Sequence, residues 1–327
     1  MNIWRIVEIS PTKLIIFSNN CKLEVLCLKE VNFDYKNKEE IIEFIQNCEN
    51  SFEIRLDKAS KEVVNSDIMY VLLSGPTCAG KTTTAEKLIS DFNEIGKKVT
   101  VISIDDFFKD RLEERVVHSD KKIDYDSVDA LDLPCLAECI KNAKPGNIIK
   151  VPKFDFISQS RTGYIEHCIS ENEVLLFEGI QAVYPEITSL FKGNYKGIFI
   201  DVQDDAMING TRFRKQHIRL IRRLVRDRRF RGASPDFTFY LWESVRDNEK
   251  KNIYPNKDIC DVQIDSFLEY ELFLMKSYVT ETLNEVMPDS KYYERAQRLL
   301  SKFENLKEIS YDFIPENSLY TEFLGKK

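Results

Sequence analysis

Residues 75–82 read Gly-Pro-Thr-Cys-Ala-Gly-Lys-Thr and match the pattern G-x-x-x-x-G-K-[ST] at every fixed position. The two glycines allow the loop to wrap around an anion with its backbone N–H groups pointing inward. Lys81 can then place a charge on the β- and γ-phosphates, and the Thr82 hydroxyl can bind Mg²⁺. The helix that follows directs its positive end at the same phosphates. The stretch therefore predicts a binding loop for a nucleoside triphosphate.

The segments around this loop predict an α/β domain. Residues 68–74 form a continuous apolar run, as expected of a parallel strand that is covered on both faces. Residues 81–94 are amphipathic and predict a helix that ends at Gly96. Further buried strands are predicted at 99–104, 174–177 and 197–202, and further helices at 213–229, 237–249, 270–286 and 292–303. Strands separated by helices predict a P-loop NTPase-type three-layer domain with a central, mainly parallel sheet, at 66–327, with a helical C-terminal extension over about 270–327.

Residues 1–65 differ from the rest of the chain in their pattern of predicted strands and helices, and they predict a small N-terminal α+β unit. Short strands are expected at 3–9, 14–17, 23–28 and 52–56, with one helix at 38–48. The segment contains no constellation of chemically reactive residues. A docking or dimerisation module and a packing extension of the main domain both remain open, and so does the choice between a monomer and a homo-oligomer.

The composition excludes several classes of protein. The chain is 43% hydrophobic and 31% charged, which is enough to bury a core. Its formal net charge is −7, which argues against coating nucleic acid or an anionic membrane with the whole surface. Neither a membrane-spanning run nor a secretory signal is visible. Eight cysteines without a Cys-x-x-Cys pair fit reduced thiols, so a cytoplasmic protein is expected.

Carboxylates follow two of the predicted strands. Asp105 and Asp106 come directly after one strand, and Glu178 comes directly after another. Parallel sheets bind ligands at the carboxyl ends of their strands, so both groups should project toward the phosphate loop. One carboxylate could hold Mg²⁺ and another could accept a proton from an attacking hydroxyl. The alternative is a helix N-cap or a turn residue.

A basic stretch stands out in this acidic chain. Residues 212–231 hold ten Lys or Arg and a single acid, Asp227. An apolar stripe runs along the predicted helix, and the arginines expected to lie off it are Arg219, Arg222, Arg223 and Arg226. Guanidinium groups bind phosphate oxygens bidentately, so this face suits phosphate clamping. A solvated, salt-bridged helix and a nucleic-acid contact are the competing interpretations.

Six segments in this order resemble the uridine kinase and phosphoribulokinase family: 75–83, 103–108, 125–132, 152–161, 175–180 and 219–232. The continuation at 238–255, 265–272 and 314–325 is similar to a bacterial, often clostridial, branch with an N-terminal extension. The resemblance implies phosphoryl transfer from ATP or GTP, with Mg²⁺, to the 5′-hydroxyl of a pyrimidine nucleoside such as uridine or cytidine.

The resemblance also implies a role for each matching residue. Asp105 accepts the hydroxyl proton, and Lys81, Arg222 and Arg226 neutralise charge on the transferred group. Thr82 and Glu178 hold the metal, and a mobile lid at about 212–235 closes over both substrates. The residues implied for the nucleotide are Gly75, Pro76, Thr77, Cys78, Ala79, Gly80, Lys81, Thr82, Thr83 and Arg223, and those for the acceptor are Asp126, Phe154, Gln159, Arg161 and Arg219.

Three positions depart from the family pattern. Phe154 stands where familiar members have Tyr, Gln159 where they have His, and Ser127-Val128 where His-Pro often follows the aspartate. A pocket built on hydrogen bonds discriminates strongly, so these changes can alter the acceptor. Sugar phosphates, pantothenate and glycerate are therefore alternative acceptors. A nucleotide-sensing or RNA-associated module with little kinase activity is a further alternative.

Overall fold

The computed structural model describes residues 5–10, 13–17, 24–64, 67–110, 125–156 and 158–326. The chain divides into two compact units. Unit 1 comprises Met1–Glu53, Val202–Trp242 and Asp265–Lys327, and unit 2 comprises Ile54–Asp201 and Glu243–Ile264. Within the described ranges, no helix is long and apolar enough to cross a membrane.

Strands and short 3-10 turns alternate with helices along the chain. The strands are β1 (Arg5–Ser10), β2 (Lys13–Phe17), β3 (Glu24–Val31), β4 (Tyr70–Ser74), β5 (Lys98–Ser103), β6 (Ile148–Asp155), β7 (Ser160–Cys168), β8 (Glu173–Glu178), β9 (Lys196–Asp201), β10 (Asp205–Ile208), β11 (Thr211–Phe213) and β12 (Val262–Asp265). The helices are α1 (Lys38–Val64), α2 (Lys81–Glu94), α3 (Leu133–Asn142), α4 (Pro185–Thr188), α5 (Lys215–Arg231), α6 (Pro235–Asn248), α7 (Glu271–Asn284), α8 (Tyr293–Leu300) and α9 (Thr321–Leu324).

Unit 2 is built on a five-stranded sheet with the order β12-β9-β4-β8-β5. The pairs β4–β8, β4–β9 and β5–β8 are parallel, and β4 is buried along its whole length. Helices flank this sheet, so the predicted α/β class with a parallel central sheet is confirmed. The register sets Glu178, the last residue of β8, opposite both Leu73 of β4 and Ser103 of β5. The carboxyl ends of three neighbouring strands therefore lie at one edge.

A β-hairpin that the sequence did not predict also belongs to unit 2. Strands β6 and β7 pair antiparallel, with a bulge between Lys153 and Phe154. The turn between the two strands includes Gln159, whose φ is +53°. Residues other than Gly, Asn and Asp rarely adopt this left-handed backbone conformation. A bulge changes the direction in which the following side chains leave the strand, so it sets the orientation of Phe154 and its neighbours on the hairpin.

Unit 1 contains the second five-stranded sheet, with the order β1-β2-β3-β10-β11. Strand β3 pairs in parallel with β10, so Leu28 lies opposite Asp205. The N-terminal strands thus join the segment that precedes α5, whereas the sequence placed residues 1–65 in a unit of their own. The structure divides the chain at residue 53, inside α1, and not at residue 65.

The strand expected at 52–56 is wrong, because these residues lie inside α1. Buried apolar residues recur along this helix at spacings of three and four: Ile41, Ile45, Cys48, Phe52, Leu56, Ala59 and Val63. This is the period of an amphipathic helix, and it continues without a break through the predicted strand. Reading the pattern beyond Cys48 would have found the full helix.

Candidate active site

The phosphate loop joins β4 to α2, and its glycines are required by the backbone. A Cβ at Gly75 would lie 2.1 Å from the Ile200 carbonyl oxygen, and Gly80 has a φ of +100°. The Lys81 ammonium donates hydrogen bonds to the carbonyls of Gly75 and Pro76, at 3.2 and 3.5 Å. The lysine is therefore held across the mouth of the loop, next to the start of a helix whose N–H groups favour an anion.

Three acidic side chains converge on this lysine at the carboxyl edge of the sheet. The Glu178 Oε1 atom lies 3.8 Å from the Lys81 Nζ atom. Asp105 lies in the single turn Ile104–Phe107 that follows β5. The pKa of the Asp105 carboxyl is raised to about 6, mainly by burial and next by the Glu178 charge, with a smaller increase from Asp126 and with Lys81 opposing the shift. The structure thus brings Lys81, Asp105, Asp126 and Glu178 together within unit 2.

We expect activity to fall in acid because of Asp105. Its ordinary pKa is 3.8, and the raised value of about 6 means that the carboxylate becomes protonated as the pH falls through about 6. A base must be unprotonated to accept a proton, so kcat/KM should be constant above pH 7 and fall about tenfold per pH unit well below 6. Initial rates from pH 5 to 8 with saturating Mg²⁺ and ATP would show this. A profile that stays flat down to pH 5 in folded protein contradicts it.

A wall of four aromatic rings lies beside these carboxylates. The rings belong to Phe108, Tyr125, Phe154 and Phe156, with neighbouring centroids between 5.0 and 6.4 Å apart. Phe154 is buried, whereas Phe156 is 53% exposed. The backbone N–H of Phe154 donates to the Asp106 Oδ1 atom at 3.2 Å, which fixes the hairpin to the turn that carries Asp105. Such a wall can stack a flat ring.

Arg161 contacts the segments that carry the aromatic wall. Its guanidinium donates to the Asp132 carboxylate at 2.8 Å and to the Phe108 carbonyl at 3.2 Å. Both partners belong to the segment that surrounds the aromatic rings. In this arrangement Arg161 connects the hairpin to that segment, and the Asp132 carboxylate occupies one edge of its guanidinium.

Two residues that the sequence analysis missed hold the backbone at Asp126. The Gln181 amide donates to the Tyr125 carbonyl at 2.9 Å, and the Tyr184 hydroxyl donates to the Asp126 carbonyl at 3.0 Å. Both residues follow Glu178 closely in sequence, in the turn after β8. Because they come just after Glu178 at the end of a predicted strand, their sequence positions could have indicated that they lie near the site. The hydrogen bonds keep Asp126 at a set distance from the sheet edge.

The basic helix α5 belongs to unit 1, and three of the four arginines expected on its polar face are buried. Arg219 and Arg222 are fully buried and Arg223 is 8% exposed, which corrects the expected placement. Arg222 donates to the Glu271 carboxylate at 2.5 Å and to the Ser266 carbonyl at 2.9 Å. The countercharge comes from α7, about 50 residues further along the chain, so helical periodicity could not reveal it.

Arg223 and Arg226 share a single acid in the same helix. The Asp227 carboxylate accepts from Arg223 at 3.2 Å and from Arg226 at 2.7 Å. The side chains of Arg223 and Arg226 are 10% and 12% exposed. The two guanidinium groups are thus held against the same carboxylate of α5.

The site has the donor set that Mg²⁺ accepts. This ion uses one or two carboxylates together with waters and substrate phosphates. The exposed Thr82 lies at the start of α2, and Glu178 lies at the end of β8, beside the lysine of the loop. Hard oxygen ligands next to a phosphate-binding loop therefore fit a magnesium ion bound with a nucleoside triphosphate.

A phosphate loop on a parallel sheet, with carboxylates at its carboxyl edge, defines a P-loop kinase of small molecules. Residues 71–272 match the Phosphoribulokinase / Uridine kinase family, and the chain belongs to that family. Membership implies the use of ATP and Mg²⁺ and a small-molecule substrate in general terms. The predicted family is thus confirmed, while the clostridial branch stays a prediction.

Two uridine kinases are similar to this chain over most of their own length. The chain is 28% identical over 197 residues to the uridine kinase of Lactobacillus helveticus (strain DPC 4571), covering 58% of this chain and 82% of the relative. It is 30% identical over 201 residues to the uridine kinase of Chlamydia pneumoniae, covering 60% and 80%. A solved structure of a possible uridine kinase from Bacillus stearothermophilus is 15% identical, with a TM-score of 0.46, covering 66% of this chain and all of the other.

Proposed function

We propose that this protein transfers the γ-phosphoryl group of ATP or GTP to the 5′-hydroxyl of a pyrimidine nucleoside, giving the nucleoside monophosphate. The observation that carries the proposal is the convergence of Lys81, Asp105 and Glu178 at the carboxyl edge of the sheet. A carboxylate whose pKa is raised to about 6 is a better base than an exposed one and still largely ionised at pH 7. The uridine kinases among the relatives support the acceptor class.

The residues of the loop bind and orient the triphosphate. The backbone of residues 75–83 contacts the phosphates, Lys81 places its charge on them, and Thr82 and Glu178 hold the magnesium ion, which neutralises phosphate charge. Asp105 positions the acceptor hydroxyl and takes its proton as the oxygen attacks. Charge neutralisation and alignment are the main catalytic contributions in phosphoryl transfer, so these groups suffice for the reaction class.

The acceptor binds between Asp126 and the aromatic wall. The Asp126 carboxylate accepts hydrogen bonds from the ribose hydroxyls, and Phe154 and Phe156 stack against the base. Gln159 lies at the tip of the hairpin, where its amide can read a polar edge of the base. Arg161 acts through the Phe108 and Asp132 contacts that support the wall.

We assign the arginines of α5 to two groups by their burial. Arg223 and Arg226 keep partial exposure, and they stay the pair that we propose to bind phosphate. Arg219 and Arg222 are fully buried. Arg222 is compensated by Glu271, and we assign both residues to the packing of unit 1.

A second candidate keeps the fold and changes the acceptor. Phe154 has no hydroxyl, and its buried ring offers an apolar surface where a hydrogen-bond donor would otherwise stand. A pocket that lacks a donor discriminates less against other acceptors. A sugar phosphate, pantothenate or glycerate is therefore the alternative acceptor.

The test is an acceptor panel with direct detection of the phosphorylated product. Purified protein with Mg²⁺ and ATP should convert uridine or cytidine to its monophosphate, and Lys81→Ala should abolish the conversion. The Phe154→Tyr variant should keep or improve kcat/KM for uridine, because it restores a donor at the base. If no nucleoside is converted while glycerate, pantothenate or a sugar phosphate is, the nucleoside assignment is wrong and the kinase class stands.

A further inference from the structure

The Tyr184 hydroxyl has a second partner besides the Asp126 carbonyl. Tyr184 is 2% exposed, and the Nδ2 atom of Asn248 donates to its hydroxyl at 2.9 Å. Asn248 is the last residue of α6, and it belongs to unit 2 together with Tyr184 and Asp126. A hydroxyl both accepts and donates, so Asn248 fills the accepting side of Tyr184 and leaves its hydrogen for the Asp126 carbonyl at 3.0 Å.

The Asn248 amide is itself held in one orientation. Its Oδ1 atom accepts from the Nδ2 atom of Asn252 at 2.6 Å, and the Nδ2 atom of Asn256 donates to the Asn252 carbonyl at 2.8 Å. The Tyr184 hydroxyl lies 3.0 Å from the same Oδ1 atom. Each hydrogen has an acceptor of its own only when Oδ1 accepts from Asn252 and the hydroxyl donates to Asp126. The groups thus form a chain of hydrogen bonds that runs in one direction and ends at Asp126.

The backbone of the segment that carries this chain of hydrogen bonds is unusual. A π-helical turn, Glu249–Ile253, directly follows α6 and contains Asn252. Such turns are rare in proteins and occur frequently at functional sites. An uncommon backbone conformation is therefore present in the segment that fixes the Asn248 amide.

The direction of the Asp126 side chain depends on two carbonyls. The Gln181 amide donates to the Tyr125 carbonyl at 2.9 Å, and the Tyr184 hydroxyl donates to the Asp126 carbonyl. These carbonyls belong to the peptide groups on either side of the Asp126 Cα atom. Peptide groups are planar, so fixing both planes fixes the φ and ψ of Asp126 and the direction in which its side chain leaves the backbone. Loss of the Tyr184 hydrogen bond releases one of the two planes.

We propose that Asn248 is a positioning residue of the acceptor site, which acts on the Asp126 carboxylate through the Tyr184 hydroxyl. The inference rests on the proposed function, because it takes the acceptor to bind Asp126 through its hydroxyl groups. A displacement of about 1 Å in a group that orients a substrate can cost about 100-fold in rate. Binding of ATP depends on residues 75–83 and should not respond to Asn248.

The test compares the kinetics of Asn248→Ala, Tyr184→Phe and the double variant in the full-length protein. Each single change should raise the KM for uridine about three- to tenfold, the effect of one lost hydrogen bond, while the Kd for ATP stays within about twofold. Because Asn248 acts through Tyr184, the double variant should be no worse than Tyr184→Phe alone. A loss of folded protein lowers kcat and leaves KM unchanged, so the split between KM and kcat separates positioning from a merely structural role.

Asn248→Asp is a second variant that keeps the shape of the side chain. Its carboxylate can still accept from Asn252, but it cannot donate to Tyr184. The charged oxygen also attracts the Tyr184 hydrogen away from the Asp126 carbonyl. We therefore expect Asn248→Asp to raise the KM for uridine at least as much as Asn248→Ala, whereas a packing role would make it the milder change.

Asn147→Ala is the matched control, because its amide donates to the Asn142 carbonyl at 3.3 Å on the exposed surface of unit 2. This variant should change neither KM nor kcat. An unchanged KM for uridine in the Asn248 variants overturns the inference, and so do additive losses in the double variant or equal changes in the uridine KM and the ATP Kd.

The unmodified protein separates this inference from the proposed function. If it converts neither uridine nor cytidine, the proposed function is wrong, and the same variants are measured with the acceptor of the panel that is phosphorylated. A raised KM for that acceptor supports the role of Asn248, and an unchanged KM overturns it. If no acceptor is phosphorylated, both proposals are wrong.

Discussion

Replacing Asp105 with Asn lowers kcat by about 100-fold or more while the Kd for ATP changes little. Asparagine keeps the shape and a hydrogen-bond acceptor, but it cannot take the proton of the acceptor hydroxyl. The substitution also removes a negative charge from the field of Lys81, so ATP binding is not expected to weaken. Single-turnover rates and equilibrium ATP binding, measured on the same preparation, separate the two effects.

Asp106→Asn is the matched control for this change. It removes the same charge one residue further along, and its amide oxygen can still accept the Phe154 N–H that Asp106 Oδ1 accepts in the structure. We expect kcat within a few-fold of the unmodified protein. If Asp105→Asn and Asp106→Asn behave alike, or if Asp105→Asn turns over normally, Asp105 is not the base.

The second large effect concerns stability and not chemistry. Glu271→Ala leaves the fully buried Arg222 guanidinium without its charged partner. Breaking a buried ion pair from one side destabilises by about 3–5 kcal/mol, because an uncompensated charge stays in the interior. Tyr320, whose hydroxyl donates to the same carboxylate, also loses its partner. We therefore expect a large drop in the free energy of unfolding, measured by urea denaturation.

An exposed pair on the same two helices provides the comparison. Arg228 of α5 contacts Glu285, just beyond the end of α7, at 2.7 Å, and both side chains are well exposed. Glu285→Ala should cost less than about 1 kcal/mol. The double change Arg222→Met with Glu271→Leu should recover most of the stability lost in Glu271→Ala, since it removes both charges. Equal losses for Glu271→Ala and Glu285→Ala would show that the Arg222 pair is not the main cause.

Local patterns were enough to predict the kinase core. The loop motif lies between a wholly apolar strand and an amphipathic helix, and the structure has α2 at the predicted residues Lys81–Glu94. Asp105 and Glu178 could be placed at one edge because each directly follows a predicted strand, and both predicted strands belong to the same parallel sheet. These inferences depend on residues only a few positions apart in sequence, because the covalent chain restricts how far apart such residues can lie in space.

Features that depend on distant residues were not predictable. The acid that neutralises Arg222 lies 49 residues away, so the buried face of α5 looked polar in sequence. The hairpin β6–β7 has no sustained apolar run, and its hydrogen bonds to Asp106 and Asp132 join residues 48 and 29 positions apart. The partner of β3 could not be inferred either, because no local signal connects residues 28 and 205.

The pairing of β3 with β10 has a consequence for the order of events during synthesis. Strand β3 leaves the ribosome roughly 180 residues before the strand that completes its sheet. At the usual rate of translation this delay is about 10–35 s. During that interval one edge of β3 has no native neighbour, and unpaired edges invite association with other chains. We therefore expect a chaperone to bind the N-terminal strands during synthesis. Most of unit 2 can fold before the remaining segments of unit 1 are synthesised.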